Sequence, residues 1–236
     1  MHTTDTHCVK DLRDLHLARL CHETRTTLTA IIGYTTLLQH HIPDAPHLDK
    51  ITEASLRLSN FITTLEDVRK AQAGHLTLTL SQFHVSTAIA PVLEMISPSL
   101  NTHSINLRLH FSTPLPPLTA DLPRFQQILL HLLSNAVQFT PPHGYIMLIT
   151  QRDHDHLAIT VADTGVGIAP DDLTTIFEPF TVRNPTWSPN RTTHGLGLPL
   201  TRHLVELHGG TISAHSNGPE QGSRFIIRLP LQASHH

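Results

Sequence analysis

The sequence predicts an α+β fold in two parts: an antiparallel helical hairpin that closes into a four-helix bundle on dimerisation, followed by an α/β sandwich. Three patterns carry that expectation. Residues 17–38 and 51–68 each hold an apolar seam with heptad spacing, the mark of paired helices. After Gly74 the period changes, and HLTLTLSQFHV alternates as a strand does. From there strands and helices mix in an order that layers helices on one face of a sheet.

In the first helix Leu17, Cys21, Thr24, Leu28, Ile31, Thr35 and Leu38 alternate steps of four and three. His22 stands one residue off this seam, about 100° around the helix, so its imidazole is expected to face solvent. HHIPDAPH at 40–47 carries two prolines and no helical period, and it reads as the turn. Ile51, Ala54, Leu58, Phe61, Leu65 and Val68 form the second seam. Two antiparallel helices bury both apolar stripes poorly, whereas two hairpins paired as a bundle bury them well, so a homodimer is expected. The boundary near Gly74 places one domain at 1–73 and a second at 74–236. In the second, strands are expected at 76–80, 105–111, 145–151, 157–163 and 224–229, and helices at 86–97, 122–138 and 197–208. The helix over 122–138 has the most regular period, with Phe125, Ile128, Leu129, Leu132, Leu133, Ala136 and Val137 as its apolar face.

Composition narrows the class of function. The chain has 16 basic and 19 acidic residues, a formal net charge of −3, and only three lysines, Lys10, Lys50 and Lys70. No dense basic face is available to neutralise phosphates, which argues against nucleic acid as the partner. No apolar run reaches the ~18 residues of a membrane span, and MHTTDTHCVK is not a signal peptide, so a soluble cytoplasmic protein is expected. Two cysteines, Cys8 and Cys21, suit reduced thiols. The chain has 21 histidines, including the DHDH run at 153–156, but no zinc-type spacing with cysteine or carboxylate partners recurs, so they read as surface composition.

The chemistry-bearing stretch is VADTGVGIAP at 161–170, followed by FEPF at 177–180 and HGLGLPL at 194–200. Asp163 ends an apolar strand, and an Asp oxygen accepts a hydrogen bond from the exocyclic amine of a purine. Gly165 and Gly167, without Cβ atoms, let main chain approach the ring and its phosphates. Upstream, Asn135 lies just off the apolar stripe of its helix, where an amide oxygen suits a hard cation such as Mg²⁺. Gly195 and Gly197 precede the helix LPLTRHLVEL, whose first N–H groups are an anion site.

These motifs, in this order, resemble the transmitter core of a sensor histidine kinase. HLLSNAVQFTP is similar to the family's N-box, DTGVGI to its first glycine box, FEPF to its F-box and HGLGLPLTRHLVELHGG to its second glycine box. LCHETRTTLTAIIGY at 20–34 resembles the phosphoacceptor box, which makes His22 the histidine that takes the γ-phosphoryl group of ATP. The resemblance runs from about residue 11 to about residue 232. It implies ATP and Mg²⁺ as cofactors and transfer of the phosphoryl group to an aspartate on a response regulator receiver domain. It also implies that Glu23 is the acidic base beside His22, that Glu23 and Thr26 in HExxT position water for dephosphorylating the regulator, and that Ser223 supports the adenine end of the site. RNPTWSPNRTT at 183–193 reads as a mobile lid from which Arg183 or Arg191 reaches phosphate. The signal is expected from a separate sensory or input protein. His131 and Gln138 stand where the family places an asparagine and a lysine or arginine, Thr193 replaces a glycine and Thr27 a proline. Those departures keep open an alternative, a catalytically weakened dimeric binding and phosphatase module acting on a response regulator.

Overall fold

The computed structural model describes residues 3–42, 45–112, 115, 117–181 and 194–232, with side chains from residue 21 onward except 40 and 46. The predicted lid, Thr193 and the side chains of Cys8 and Leu17 lie outside the described residues. Two compact units divide the chain, Met1–Leu76 and Thr77–His236.

The first unit is the helical hairpin, α1 over Thr3–His41 and α2 over Pro46–Gln72, which pack along each other. Helix α1 runs through His40 and His41, which the sequence reading places in the turn, and Pro46 opens α2 where its missing N–H costs nothing. Only part of each predicted seam is buried within the hairpin. Cys21, Leu28 and Thr35, one heptad apart, are buried, and Cys21 and Leu28 pack with Ile62 and with the half-buried Phe61 and Leu65. Thr52 on α2 donates its hydroxyl to Thr35 Oγ1 at 3.0 Å. The intervening positions stay out: Ile31 is 37% exposed, Leu38 47%, Ile51 44% and Leu58 45%. A two-helix layer has one contact face, so a seam of alternating fours and threes buries one set of positions there and leaves the other apolar and uncovered.

The second unit is an α/β sandwich. A five-stranded sheet runs in the order β2 (Asn106–Phe111), β4 (Tyr145–Asp153), β5 (His156–Asp163), β7 (Ser223–Pro230), β6 (Thr211–His215), antiparallel except for the parallel pair β2 and β4. Helix α4 (Leu122–Phe139) packs against β5 and between α3 (Val85–Thr102) and α6 (Gly197–Leu207), and a single turn, α5 (Pro170–Leu173), follows β5 in the chain. All seven residues of its predicted apolar face are buried, against Ile146, Leu148, Leu157, Ile159, Val161, Ile227 and Leu229 on the inner face of the sheet. Each fully buried Leu or Ile here contributes about 1.5–3 kcal/mol.

Two expectations need correction, and two strands went unread. Residues 76–80 form no strand: the Thr79 N–H is taken by the Asp121 carboxylate at 2.7 Å, and the short strand is instead β1 (Ser81–Phe83), paired with β3 (Leu118–Ala120). Helix α3 does not stop before Pro98 but continues to Thr102, because Val92, Ile96 and Leu100 keep one buried face through the proline. That burial outweighs a cost of about 3 kcal/mol. Strands β3 and β6 carry too little alternation to be read locally, and they form because a neighbour pairs with them.

Candidate functional site

In the first unit, Cys21 is buried and His22 and Glu23 are exposed, so one step along α1 separates the hairpin core from solvent. The Cys21 thiol is pushed up by burial first and by the Glu66 charge second. Thr26 is exposed, and its hydroxyl donates to the His22 carbonyl at 3.0 Å. Thr27 does the same to Glu23 at 3.0 Å and lets α1 continue unbroken where a proline would interrupt it. Arg25 and Glu66, which the sequence reading did not single out, join α1 to α2 beside this face through an ion pair at 2.6 Å.

In the second unit, Asp163 is the last residue of β5 and lies opposite Ser223, the first of β7. Its Oδ1 accepts from Gly165 N at 2.8 Å and from Ser223 N at 3.2 Å, and its Oδ2 accepts a short bond from Ser223 Oγ. A carboxylate has about four acceptor positions, so three are filled and one on Oδ2 remains. Burial pushes the Asp163 carboxyl above the usual carboxylate range, while the bonds from Ser223 and Gly165 pull it back. The glycines are required by contact. A Cβ on Gly165 would lie 2.3 Å from the Phe139 carbonyl, which also accepts from Val166 N, so the turn after Asp163 rests on the end of the helix that carries Asn135. Gly167, at φ +67°, would meet the Gly218 carbonyl at 2.1 Å.

Sequence reasoning missed the loop that holds this turn from the other side. A Cβ on Gly222 would lie 2.0 Å from the Asp163 carbonyl, and the Ser216 hydroxyl accepts from Ile168 N at 3.0 Å and donates to the Gly222 carbonyl at 2.6 Å. The signal was present as two glycines flanking PEQ just before Ser223.

Asn135 is half-buried on α4. One turn earlier, the His131 ring lies beside Gly197, and its Nδ1 is 3.3 Å from Thr201 Oγ1 on α6. That hydroxyl gives its proton to the Gly197 carbonyl at 2.8 Å, so His131 Nδ1–H is the donor to it. Among the described residues no side chain caps the start of α6, which leaves its first N–H groups available to an anion. Gly195, at φ +63°, is gripped by the end of FEPF: Phe180 N donates to the Gly195 carbonyl at 2.9 Å, and a Cβ would meet Thr181 O at 2.6 Å. Gly197 differs, since the nearest atom to its Cβ would be 3.7 Å away on His131. At the far end of α6, buried His208 donates from Nδ1 to the Leu204 carbonyl at 2.7 Å and accepts on Nε2 from Asp121 N at 3.1 Å. The Asp121 carboxylate caps α4 through Arg124 N at 3.0 Å, so histidines tie the two ends of α6 to the start and the middle of α4.

The donor set can be tested against a nucleotide with its metal. One open carboxylate acceptor, glycine backbone on both sides and an uncapped helix end fit a purine with phosphates. For Mg²⁺ the protein offers the Asn135 amide oxygen, with water and phosphate oxygens left to complete a shell, and the His131 imidazole adds no oxygen.

Residues 12–74 match the family described as the His Kinase A (phospho-acceptor) domain, and residues 120–233 match the histidine kinase-, DNA gyrase B- and HSP90-like ATPase family. The chain is 32% identical over 231 residues to an uncharacterized sensor-like histidine kinase of Rhizobium meliloti, covering 95% of this chain and 44% of that one. It is 35% identical over 224 residues to the circadian input-output histidine kinase CikA of Thermosynechococcus vestitus, covering 91% of this chain and 30% of the relative. The chain thus spans less than half the length of these relatives. Among solved structures, full-length ShkA in complex with AMPPNP matches with a TM-score of 0.75 and 28% identity over 94% of this chain and 46% of that chain. No helix among the described residues is long and apolar enough to cross a membrane.

Proposed function

The chain belongs to the sensor histidine kinases as their transmitter core, a phosphoacceptor domain followed by an ATPase domain, and from that premise we propose that it phosphorylates His22 from ATP and passes the phosphoryl group to a response regulator aspartate. The observation that carries the reading is the open acceptor on Asp163: a carboxylate fixed by Ser223 and Gly165, with one lone pair left for a purine amine. The AMPPNP in the related ShkA structure supports it.

In this reading Asp163 accepts from the adenine amine, Ser223 holds that carboxylate in place, and Gly165 and Gly167 keep main chain close to the base. The uncapped start of α6, with Gly195 and Gly197, faces the phosphates. Asn135 would hold Mg²⁺, whose contribution when bound is to neutralise phosphate charge. The neutral imidazole of His22 attacks the γ-phosphorus through the lone pair of its unprotonated nitrogen, and Glu23 takes the proton that the resulting imidazolium must shed. Solvent exposure of His22 is what lets a nucleotide-bearing domain approach it. Residues 1–73 are assigned to dimerisation and phosphoacceptance, and residues 74–236 to ATP binding. The uncovered stripe of Ile31, Leu38, Ile51 and Leu58 is assigned to the homodimer interface. Thr26, with Glu23, is assigned to placing water for dephosphorylating the regulator, and the input is assigned to a sensory module outside the two units.

Incubation with γ-labelled ATP and Mg²⁺ tests this. Acid-labile, relatively base-stable label is expected, and His22→Gln should lose it while still binding nucleotide. Equal label on that variant sinks the phosphoacceptor assignment; nucleotide binding with no label in the unmodified protein selects the binding and phosphatase module instead.

A further inference from the structure

One turn along α1 from His22, Arg25 reaches across the hairpin and donates from Nη2 to Glu66 Oε2 at 2.6 Å. The Glu66 side chain is 13% exposed and that of Arg25 is 36%, so the guanidinium is the more accessible half of the pair. A guanidinium carries five N–H donors in a fixed fork, and this bond uses one. Three residues further along α2, the Arg69 Nε is buried and makes no hydrogen bond. All three charges act on the Cys21 thiol, Glu66 raising its pKa and Arg25 and Arg69 lowering it, and residues three apart on a helix, as Glu66 and Arg69 are, have Cβ atoms about 5–6 Å apart. An ordinary surface ion pair accounts for Arg25 and Glu66. It does not account for the Nε of a second guanidinium, one turn along α2 from Glu66, buried with nothing to donate to.

We propose that Arg25 is the positioning residue for the phosphoryl group on His22: Glu66 holds it while the imidazole is unmodified, and it turns to the phosphoryl oxygens once the P–N bond forms, with Arg69 taking over Glu66. The proposal rests on His22 as the phosphoacceptor. In that transfer the bond from the γ-phosphorus to the bridging oxygen breaks, ADP keeps its electron pair, the imidazole lone pair makes the P–N bond, and the ring proton leaves to Glu23. Arg25 exchanges no proton and stays charged throughout. Only its partner changes, from a carboxylate with one charge to a phosphoryl group with nearly two. Residues three apart on a helix have Cβ atoms about 5–6 Å apart, so the swap needs a change of rotamer and no movement of backbone. It releases the tie between α1 and α2 at that level, and the phosphorylation state is thereby written into the hairpin.

Potassium phosphoramidate phosphorylates exposed histidines without ATP, so the test does not depend on the kinase reaction. The full chain is treated with it, and the lifetime of label on the His22 peptide is followed across pH by mass spectrometry, with exposed His75 and His84 as internal references. Arg25→Gln should shorten the His22 lifetime about three- to fivefold, the range an exposed ion pair supports. It should also raise the pH at which loss accelerates, since removing the cation makes the phosphoryl group easier to protonate. Arg25→Lys should recover part of the lifetime, Glu66→Gln should keep or lengthen it, and the reference histidines should not change. Equal lifetimes and pH profiles in the unmodified protein and Arg25→Gln overturn the proposal. So does a Glu66→Gln lifetime as short as that of Arg25→Gln, because the pair would then act only by holding the hairpin together. If ATP never labels His22 while the Arg25 contrast persists, the kinase reading falls, and what survives is only that Arg25 holds a phosphoryl group placed on His22 by phosphoramidate.

Discussion

Asp163 and Ser223 face each other across the β5–β7 ladder, and the serine gives both its N–H and its hydroxyl to the one carboxylate. The side chain is therefore aimed before any ligand arrives, with Oδ1 filled by Gly165 and Ser223 and Oδ2 half open.

Asp163→Asn should change base preference as well as affinity. The amide oxygen can stay at the Oδ1 position, accepting from Gly165 N and Ser223 N, which puts the NH₂ where Oδ2 stood. An NH₂ donates, so it opposes the adenine amine and suits the guanine carbonyl. We expect ATP binding to weaken by roughly 10- to 100-fold, the worth of a charged hydrogen bond, and GTP binding to weaken less or improve. Calorimetry with both nucleotides checks it, and unchanged ATP affinity removes Asp163 from the site. Because burial raises the Asp163 carboxyl above its ordinary 3.8, acid should erode ATP affinity at a higher pH than an exposed aspartate would allow.

Gly195 and Gly197 should respond differently to the same added methyl group. At Gly195 a Cβ collides with Thr181 and the backbone has positive φ, so Gly195→Ala should destabilise the second unit by about 1–3 kcal/mol. At Gly197 the protein leaves ordinary van der Waals room, so Gly197→Ala should melt like the unmodified protein and still bind nucleotide more weakly. Thermal melts paired with nucleotide titrations separate the two, and a Gly197→Ala variant with full affinity would show that no ligand passes close to that carbon.

His208 makes the second unit acid-sensitive. Burial lowers its pKa below the ordinary 6.5, and its Nε2 must stay unprotonated to accept from Asp121 N. In the window from 6.5 downward to the folded value, the unfolded chain binds more protons than the folded one. Stability is thus fully present above that window and falls as pH falls through it. His208→Leu should lose about 1–3 kcal/mol at neutral pH, since the Asp121 N–H is left without an acceptor, and should flatten this pH dependence. Denaturant melts from neutral to mildly acid pH measure both, and an unchanged slope would mean that His208 does not link stability to pH.

The uncovered hairpin stripe should set the oligomeric state. Ile31→Glu combined with Leu58→Glu places charge on residues 37% and 45% exposed, outside the buried set of Cys21, Leu28 and Ile62. The hairpin itself should persist. Sedimentation of the full chain should change from dimer to monomer, and a dimer that survives both charges would move the interface elsewhere.

Much of the site was legible because short motifs encode it locally. Gly165 and Gly167 stand out by their spacing from Asp163, although the contacts that require them come from Phe139 and Gly218, and the period of α4 marks its buried face whatever packs there. Gly222 and Ser216 were overlooked because their purpose lies in contacts with Asp163 and Ile168, far back in the chain. The 76–80 segment misled because alternation signals a strand only if a partner exists, and there the backbone donates to Asp121 instead.

By itself the sequence determined the two-part division, the helix faces and the order of the motifs, since each follows from a period or spacing that a single segment carries. Tertiary structure alone decided which half of each heptad seam closes the hairpin and which half stays bare. It also decided that Ser223 meets Asp163, that His208 meets Asp121 and that Arg25 meets Glu66, at separations of 60, 87 and 41 residues. The reason is physical. Backbone hydrogen bonds and ion pairs are nearly blind to which distant residue supplies them, so such pairings are chosen by the packing of the whole core, which brings only certain residues within reach.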